Sequence, residues 1–258
     1  MDLGLKDKVA IITGSGSVYG FGHATALTLA KEGCDIVVND INIEGAERTV
    51  AEIEAIGRKA IAIKADVGDS AQVNDMVQTA IDKFGKVDIM INNAGAGRAG
   101  GPIHLSKLEE WDVAISLLFK GVINGTKAVL PHMIERRYGK IINTSSGAGR
   151  TGSPNNSVYS ACKAAVINFT KSIAAEVGDK GINVNCICPG LSTTNFIRDP
   201  EGKVRNLEHM EEIARVQIPM QRLGVGQDIA NMMVILASDI SGYVTGQTIS
   251  VNGGTTMT

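Results

Sequence analysis

Aromatic residues, proline and cysteine are all scarce in this sequence of 258 residues: 4% of the chain is aromatic, and it contains 6 prolines and 4 cysteines. The cysteines form no Cys-x-x-Cys motif and no zinc-ligand spacing, and the four histidines do not cluster with acidic residues, so we predict no metal site. Cys186 and Cys188 lie two apart in a strand-like run and therefore face the same side. We expect them to be core thiols in a reducing compartment.

The chain also has little net charge and no long apolar run. A net charge of −2 gives no electrostatic basis for binding nucleic acid or an anionic membrane surface. No apolar run is long enough to cross a bilayer, and the first residues lack the apolar core of a signal peptide. We therefore expect a cytoplasmic protein.

Glycine and aliphatic residues are abundant, and strand-like runs alternate with helical apolar stripes along the whole chain. This alternation predicts a single α/β domain over residues 1–258, a doubly wound parallel sheet of seven strands with helices on both faces. Ser106 and Glu109 indicate a capping box at the start of one long helix. The predicted strands cover residues 9–13, 36–39, 60–64, 87–91, 140–144, 182–188 and 248–251.

The first third of the chain has the pattern of a dinucleotide-binding unit. A buried strand leads into the glycine-rich turn 14–22, a helix and a second strand follow, and that strand ends in Asp40, 20 residues beyond Gly20. The turn would present backbone N–H groups and a helix dipole to a pyrophosphate, and Asp40 would accept from the ribose hydroxyls. Because a 2′-phosphate would meet like charge at Asp40, we expect NAD rather than NADP.

A tyrosine and a lysine one helical turn apart indicate proton-transfer chemistry. Tyr159 and Lys163 share one face of a predicted helix that begins about a dozen residues after Ser145 and Ser146. A neighbouring ammonium favours the ionised form of a phenol, so we expect a lowered pKa for Tyr159 and a role as general acid or base. Such a pair alone also occurs by chance. In a parallel sheet, however, these residues and the glycine-rich turn fall at the same edge, where ligands bind.

Taken together, these motifs resemble the short-chain dehydrogenase/reductase family over nearly the whole chain, through Asn92-Asn93-Ala94-Gly95, Tyr159-x-x-x-Lys163, Pro189-Gly190 and the tail from Gly246 to Gly254. The resemblance implies a Rossmann fold and an NAD-dependent oxidoreductase that interconverts a secondary alcohol and its ketone. A reductase of 3-oxoacyl thioesters on carrier protein or coenzyme A is the alternative. A further alternative is a weakened or non-catalytic subunit of a mixed assembly.

The resemblance also implies roles for individual residues. Tyr159 would transfer the proton, Lys163 would hold the nicotinamide ribose, and Ser146, rather than Ser145, would orient the substrate oxygen. Asp66 and Val67 would contact the adenine of the cofactor. The catalytic residues would thus be Ser146, Tyr159 and Lys163, with Ser146 and Tyr159 also binding substrate. The expected cofactor-binding residues are Gly14, Ser17, Tyr19, Gly20, Phe21, Gly22, Asp40, Ile41, Asp66, Val67, Asn93, Tyr159, Lys163, Pro189, Gly190, Ser192 and Thr194.

Two features depart from the family pattern. Five residues, instead of the usual three, separate Gly14 from Gly20, and Ser17 or Tyr19 would add contacts there. Leu118 occupies the position, seven residues after Trp111, where the family has an asparagine that holds a water for proton relay. Asn124 is rotated by roughly 120° on the helix and cannot replace that asparagine directly, and Ser116 is misplaced as well.

The remaining predictions concern partners. Residues 191–222 would cover a small-molecule substrate as a lid. Arg136, Arg137 and Lys180 match basic positions with which related reductases grip an acidic carrier, but we favour a solvated surface patch as their interpretation. Arg98 would meet an anionic substrate group or be exposed. Apolar residues on the helices of Leu118 and Tyr159 indicate a homodimer or homotetramer.

Overall fold

The computed structural model describes residues 1–96, 100–194, 203–204 and 206–257. Its centre is a sheet of seven parallel strands in the order β3-β2-β1-β4-β5-β6-β7, which confirms the predicted fold class. The strands are β1 (Val9–Thr13), β2 (Asp35–Asp40), β3 (Ala60–Lys64), β4 (Ile89–Asn92), β5 (Gly139–Thr144), β6 (Ile182–Pro189) and β7 (Thr248–Val251).

Helices cover both faces of this sheet because its central strands are apolar on both sides. One core cluster contains Leu29 and Met233 with Ile12 of β1, and the other contains Val77 and Met133 with Ile11. The helices are α1 (Phe21–Lys31), α2 (Ile43–Ala55), α3 (Ser70–Phe84), α4 (Leu108–Ile115), α5 (Gly121–Arg136), α6 (Ala148–Thr151), α7 (Ser157–Val177), α8 (Leu207–Gln217) and α9 (Gly226–Ala237), with 3₁₀ turns at Ile103–Leu105, Gly178–Lys180 and Asp239–Ser241.

The helix that carries Leu118 contains a π-helical segment. A π segment (Ser116–Lys120) joins α4 to α5, so the helix runs without a break from Leu108 to Arg136. By length and composition this helix could span a membrane, because one window of 18 residues within it has a mean hydropathy of 1.4. Leu118, Val122 and Met133, however, are packed in apolar core clusters of this fold.

The predicted capping box at Ser106 is wrong. Helix α4 begins at Leu108 with Lys107 as its N-cap residue, and no side chain caps it. The Ser106 hydroxyl instead donates to the carbonyl of Ile103 at 2.9 Å and accepts from the indole N–H of Trp111, also at 2.9 Å. A local hydrogen bond with the indole, five residues further along the chain, has replaced the cap.

The order of the strands reverses between β1 and β4, and the carboxyl ends of all the strands lie at one edge of the sheet. Ligands in such sheets bind outside this edge, beside the reversal point. Arg98 and residues 195–202 and 205 of the predicted lid lie outside the described residues.

Candidate functional site

A cavity of about 1000 Å³ opens at the carboxyl edge of the sheet. Its wall combines the glycine-rich turn, the ends of β2 to β6 and part of the helix that contains the π segment. Most of the residues predicted from the sequence lie on it: Gly14, Ser17, Gly20, Phe21, Asp40, Ile41, Asp66, Val67, Asn93, Ser146, Tyr159, Lys163, Pro189, Gly190, Ser192 and Thr194.

Two of the predicted cofactor-binding residues are not on this wall. Tyr19 is 41% exposed and is not among the residues that line the cavity. Gly22 is also absent from the cavity lining. A Cβ added to Gly22 would lie 2.7 Å from the side-chain nitrogen of Asn93. Gly22 therefore contributes by letting the start of α1 approach the ends of β1 and β4 closely, a packing role instead of a wall contact.

The start of α1 has the features of a pyrophosphate site. Gly20 is its N-cap, no side chain caps the helix, and no acidic residue lies in the first turn. The first-turn N–H groups and the positive end of the helix dipole therefore face the cavity without a competing anion. Thr144 adds a buried hydroxyl, the oxygen of which has no hydrogen-bond partner among the described residues. These groups fit a dinucleotide.

Asn93 uses its side-chain amide to hold two strand ends together. Its Nδ2 donates to the carbonyls of Thr13 at 2.9 Å and Gly14 at 3.1 Å. The Thr13 hydroxyl in turn accepts from the backbone N–H groups of Asn93 and Ala94 at 3.0 Å. The predicted cofactor residue Asn93 is thus also a brace between β1 and β4.

Tyr159 and Ser146 face each other inside the cavity. The tyrosine hydroxyl is hydrogen-bonded to the side chain of Ser146, while Ser146 also accepts from the N–H of Ala148 at 3.2 Å. Ser145 points elsewhere, because its buried hydroxyl donates to the carbonyl of Lys163 at 2.7 Å. The structure therefore brings Ser146, and not Ser145, to the tyrosine, as the sequence register predicts.

Lys163 lies below the tyrosine and is only 4% exposed. Its ammonium nitrogen donates to the carbonyl of Thr144 at 2.8 Å and lies 5.9 Å from the centre of the Tyr159 ring. Burial disfavours the charged form and lowers the pKa of Lys163 to about 8.

The expected direction of the Tyr159 pKa is wrong for this structure. Burial raises the pKa of the phenol, and the hydrogen bond with Ser146 only partly opposes that shift. The lysine does not reverse it, because its ammonium hydrogen-bonds to Thr144 and not to the phenol oxygen. Tyr159 is consequently held as a neutral hydroxyl, the form that donates a proton.

Leu118 and Asn124 both make contacts that differ from the role of the asparagine in the family pattern. Leu118 is fully buried and packs with Ala114 and Cys162. The side-chain amide of Asn124 donates to the carbonyl of Val67 at 2.8 Å, on the other side of the helix. The structure thus agrees with the prediction that Asn124 does not replace the missing asparagine.

Several residues on the cavity wall were missed by the sequence reasoning. Ala65 and Leu191 adjoin predicted residues in the chain, Thr144 lies two residues before Ser146, and strand-end position alone could have found all three. Residues of the helix around the π segment come from a separate element and carry no local motif. They are Val113, Ser116 and Leu117.

The basic residues proposed to grip a carrier are paired within the protein. Arg136 donates to Asp88 at 2.7 Å, Arg137 donates to the carbonyl of Asp179 at 2.7 Å, and Lys180 pairs with the Asp179 carboxylate at 2.7 Å. An acidic side chain therefore lies beside Lys180, which reduces the positive charge of this surface.

Comparison with known proteins gives consistent matches over almost the whole chain. A family profile described as enoyl-(acyl carrier protein) reductase matches residues 14–256. A (2S)-[(R)-hydroxy(phenyl)methyl]succinyl-CoA dehydrogenase subunit of Thauera aromatica is 41% identical over 98% of both chains, and a 3-oxoacyl-[acyl-carrier-protein] reductase of Thermotoga maritima is 38% identical over 97% of this chain and 98% of its own. The crystal structure of levodione reductase superposes with a TM-score of 0.89 at 34% identity, covering 96% of this chain and 97% of that one.

The preference for NAD over NADP is contradicted by these relatives. The 3-oxoacyl-[acyl-carrier-protein] reductases that the chain matches use NADPH. Asp40 was assigned a ribose contact, but both of its carboxylate oxygens accept backbone N–H groups, from Gly16 at 2.9 Å and from Asn42 at 3.0 Å. These two N–H groups partly neutralise the charge of the Asp40 carboxylate. The presence of Asp40 therefore does not determine whether NAD or NADP binds.

Sheet order, cavity, the Ser146–Tyr159–Lys163 arrangement and the matched relatives agree, and this chain belongs to the short-chain dehydrogenase/reductase family of oxidoreductases.

Proposed function

We propose that this chain is an NADPH-dependent oxidoreductase that interconverts a 3-oxoacyl thioester and the corresponding 3-hydroxyacyl thioester. One observation carries the proposal: Tyr159, hydrogen-bonded to Ser146, shares one cavity with the residues expected to bind the dinucleotide. A proton donor and a hydride carrier must both reach the same substrate carbon–oxygen bond, and this cavity offers room for both.

The side chains have complementary roles in carbonyl reduction. The nicotinamide supplies the hydride when bound. The Tyr159 hydroxyl gives its proton to the substrate oxygen as the carbonyl becomes an alcohol, and Ser146 donates a hydrogen bond that orients this oxygen. Because burial keeps the pKa of Tyr159 raised, the proton is present at neutral pH. Lys163, the pKa of which is about 8, lies close enough to supply positive charge as the phenol loses its proton.

The thioester substrate is supported by the names of two relatives. One acts on a 3-oxoacyl group carried by acyl carrier protein, and the name of the other places a hydroxyl on the carbon attached to C2 of a succinyl-CoA. Both oxygens are β to a thioester carbonyl. We favour coenzyme A as the carrier here, because Arg136 and Lys180 are paired with Asp88 and Asp179.

Initial rates with purified protein test this proposal. We expect NADPH to support reduction of acetoacetyl-CoA, with acetoacetyl carrier protein as the competing substrate and a simple ketone such as cyclohexanone as the control. Faster turnover of the carrier-protein substrate would overturn the choice of coenzyme A. Reduction of the ketone alone would overturn the thioester class while leaving the oxidoreductase assignment intact.

Two further proposals concern the segment beside the substrate and the oligomeric state of the protein. We propose that residues 191–194, the described start of the predicted lid, border the substrate, since Leu191, Ser192 and Thr194 line the cavity. We also propose a homo-oligomer, because apolar side chains of the long helix that do not line the cavity stay exposed, with Leu108 at 64% and Ile134 at 36%. Sedimentation at a multiple of the 27.1 kDa chain mass would support assembly, and a single monomeric species would contradict it.

A weakened subunit is the second candidate, favoured by the buried Leu118. It predicts slow reduction by the protein alone, with Leu118→Asn raising turnover. Fast turnover by the unmodified protein would eliminate this candidate.

A further inference from the structure

The short loop after β3 supplies one wall of the cavity and is held by a helix from another part of the chain. Asp66 and Val67 line the cavity. Within the loop, Asp66 accepts from the N–H of Gly68 at 2.8 Å. The carbonyl of Val67 accepts from the Asn124 side-chain amide at 2.8 Å, across 57 residues of sequence.

Two further contacts fix this loop against the same helix. The hydroxyl of Ser116 lies against the Cα of Gly68, where no Cβ would fit. At Gly121 an added Cβ would lie 2.7 Å from a methyl group of Val67. The π segment and the first turn of α5 thus contact the loop through packing on two sides, and Asn124 provides the directional hydrogen bond.

The opposite side of this helix faces the catalytic tyrosine. Leu118 packs with Ala114 and Cys162, and Tyr159 borders the same cluster. π-helical segments often occur at functional sites, and the helix that contains this one contacts both the loop at Val67 and the cluster that Tyr159 borders.

We propose that Asn124 is a positioning residue for the adenosine half of the dinucleotide. It acts through Val67: the amide fixes the carbonyl of this residue, and Asp66 and Val67 thereby keep their places on the cavity wall. This inference rests on the dinucleotide site of the proposed function and adds a residue that touches neither cofactor nor substrate.

Asn124→Asp tests the inference, because aspartate has the same shape but cannot donate to the carbonyl of Val67. Adenosine 2′,5′-bisphosphate serves as the probe for the adenosine half and nicotinamide mononucleotide for the other half. We expect about a tenfold loss of affinity for the bisphosphate, the size of one lost hydrogen bond, and no change for the mononucleotide. The KM for NADPH should rise by a similar factor while kcat at saturating NADPH stays the same.

Asn185→Asp provides a matched control. Asn185 is buried in β6 and donates one amide hydrogen bond of 2.8 Å to the carbonyl of Val244. We expect this variant to lose stability without a selective loss of the bisphosphate. If it weakened the bisphosphate as strongly as Asn124→Asp does, the effect would be general loosening and the inference would be overturned.

The outcomes separate this inference from the proposed function. Unchanged bisphosphate affinity in a folded Asn124→Asp variant, or equal losses for both half-ligands, would overturn the role of Asn124 alone. A wild-type protein that binds neither half-ligand would overturn the dinucleotide site and the inference with it. If the variant does not fold, hydrogen exchange of the wild type decides: the bisphosphate should slow exchange at residues 66–68 and 116–124 together, and protection of the loop without the helix would contradict the inference.

Discussion

Lys163 shows how burial sets the chemistry of a single residue. Its ammonium is enclosed, with the carbonyl of Thr144 as an acceptor at 2.8 Å. The folded protein therefore holds this proton less tightly than the unfolded chain does, with a pKa of about 8 against an ordinary value of 10.5. A charged lysine in this place therefore lowers the free energy of unfolding.

Replacing this lysine with methionine should stabilise the protein at pH 7. Between pH 8 and 10.5 the unfolded state binds more protons than the folded state, so wild-type stability rises with pH across this window, and the full cost is present below it. We expect Lys163→Met to gain on the order of 1 to 3 kcal/mol at pH 7, with the gain shrinking towards pH 10. Urea unfolding at both pH values measures it.

Lys171→Met on the same helix is the control, since Lys171 is exposed. It should change the free energy of unfolding by less than about 0.5 kcal/mol at either pH. A Lys163→Met variant that is less stable than the wild type at pH 7, or equally changed at both pH values, would show that the lysine is not a buried, costly charge.

The identities of the site residues could be predicted from the sequence, but their environments could not. Spacing identified Tyr159 and Ser146, and the structure places them in contact. The direction of the tyrosine pKa depends on burial and on where the Lys163 amine donates, and both are products of tertiary packing. The cofactor preference predicted from Asp40 was wrong for the same reason. A sequence motif does not show that the Asp40 carboxylate accepts hydrogen bonds from two backbone N–H groups.

At the scale of elements, the ion pairs of Asp88 hold three segments together at the amino-terminal edge of the sheet. This carboxylate is 1% exposed, accepts from the N–H of Val9 at 2.9 Å, and pairs with Lys86 at 3.1 Å and Arg136 at 2.7 Å. Burial alone would raise the pKa of Asp88, but hydrogen bonds from Arg136, Val9 and Lys86 outweigh it and the net shift is downward.

Asp88→Asn should destabilise the protein by about 3 kcal/mol at pH 7, because it leaves Arg136 without its buried partner. With a lowered folded pKa, the contribution of Asp88 is present above the ordinary carboxyl pKa and is lost as pH falls through the folded value. The difference between wild type and variant should therefore shrink in strong acid. Unfolding by urea at pH 7 and pH 3 measures this.

Asp82→Asn is the corresponding control on an exposed side chain, where the carboxylate accepts only from Gln78 at 2.8 Å. Its effect should stay within about 0.5 kcal/mol. If Asp88→Asn were equally mild, the carboxylate would not be holding these segments together.

Elements were more predictable than their ends. The apolar runs predicted all seven strands, and every predicted boundary lies within two residues of the observed one. Strands that are buried on both faces are recognisable because they are apolar throughout. The start of α4 was mispredicted because Ser106 hydrogen-bonds to Trp111, a contact that follows from the fold of the helix itself. The helical periodicity of the sequence also does not predict the π segment at Ser116–Lys120.

At the scale of the whole molecule, the dinucleotide should stabilise the fold, since its site joins the ends of strands from both halves of the sheet. NADPH at 100 times its Kd would add about 2.7 kcal/mol to the free energy of unfolding, which raises Tm by roughly 5–10 °C for a chain of this size. We expect a smaller shift from NADH at the same concentration. A larger shift with NADH, measured by thermal unfolding, would contradict the assigned cofactor.

In the proposed reaction, Tyr159 transfers a proton to a substrate oxygen beside bound NADPH. The most direct measurement is the rate of acetoacetyl-CoA reduction by Tyr159→Phe, together with its Kd for NADPH. We predict a loss of about 10²- to 10⁴-fold in kcat with a Kd close to that of the wild type, because phenylalanine keeps the ring and removes only the donated proton. A variant that keeps wild-type turnover would contradict the claim.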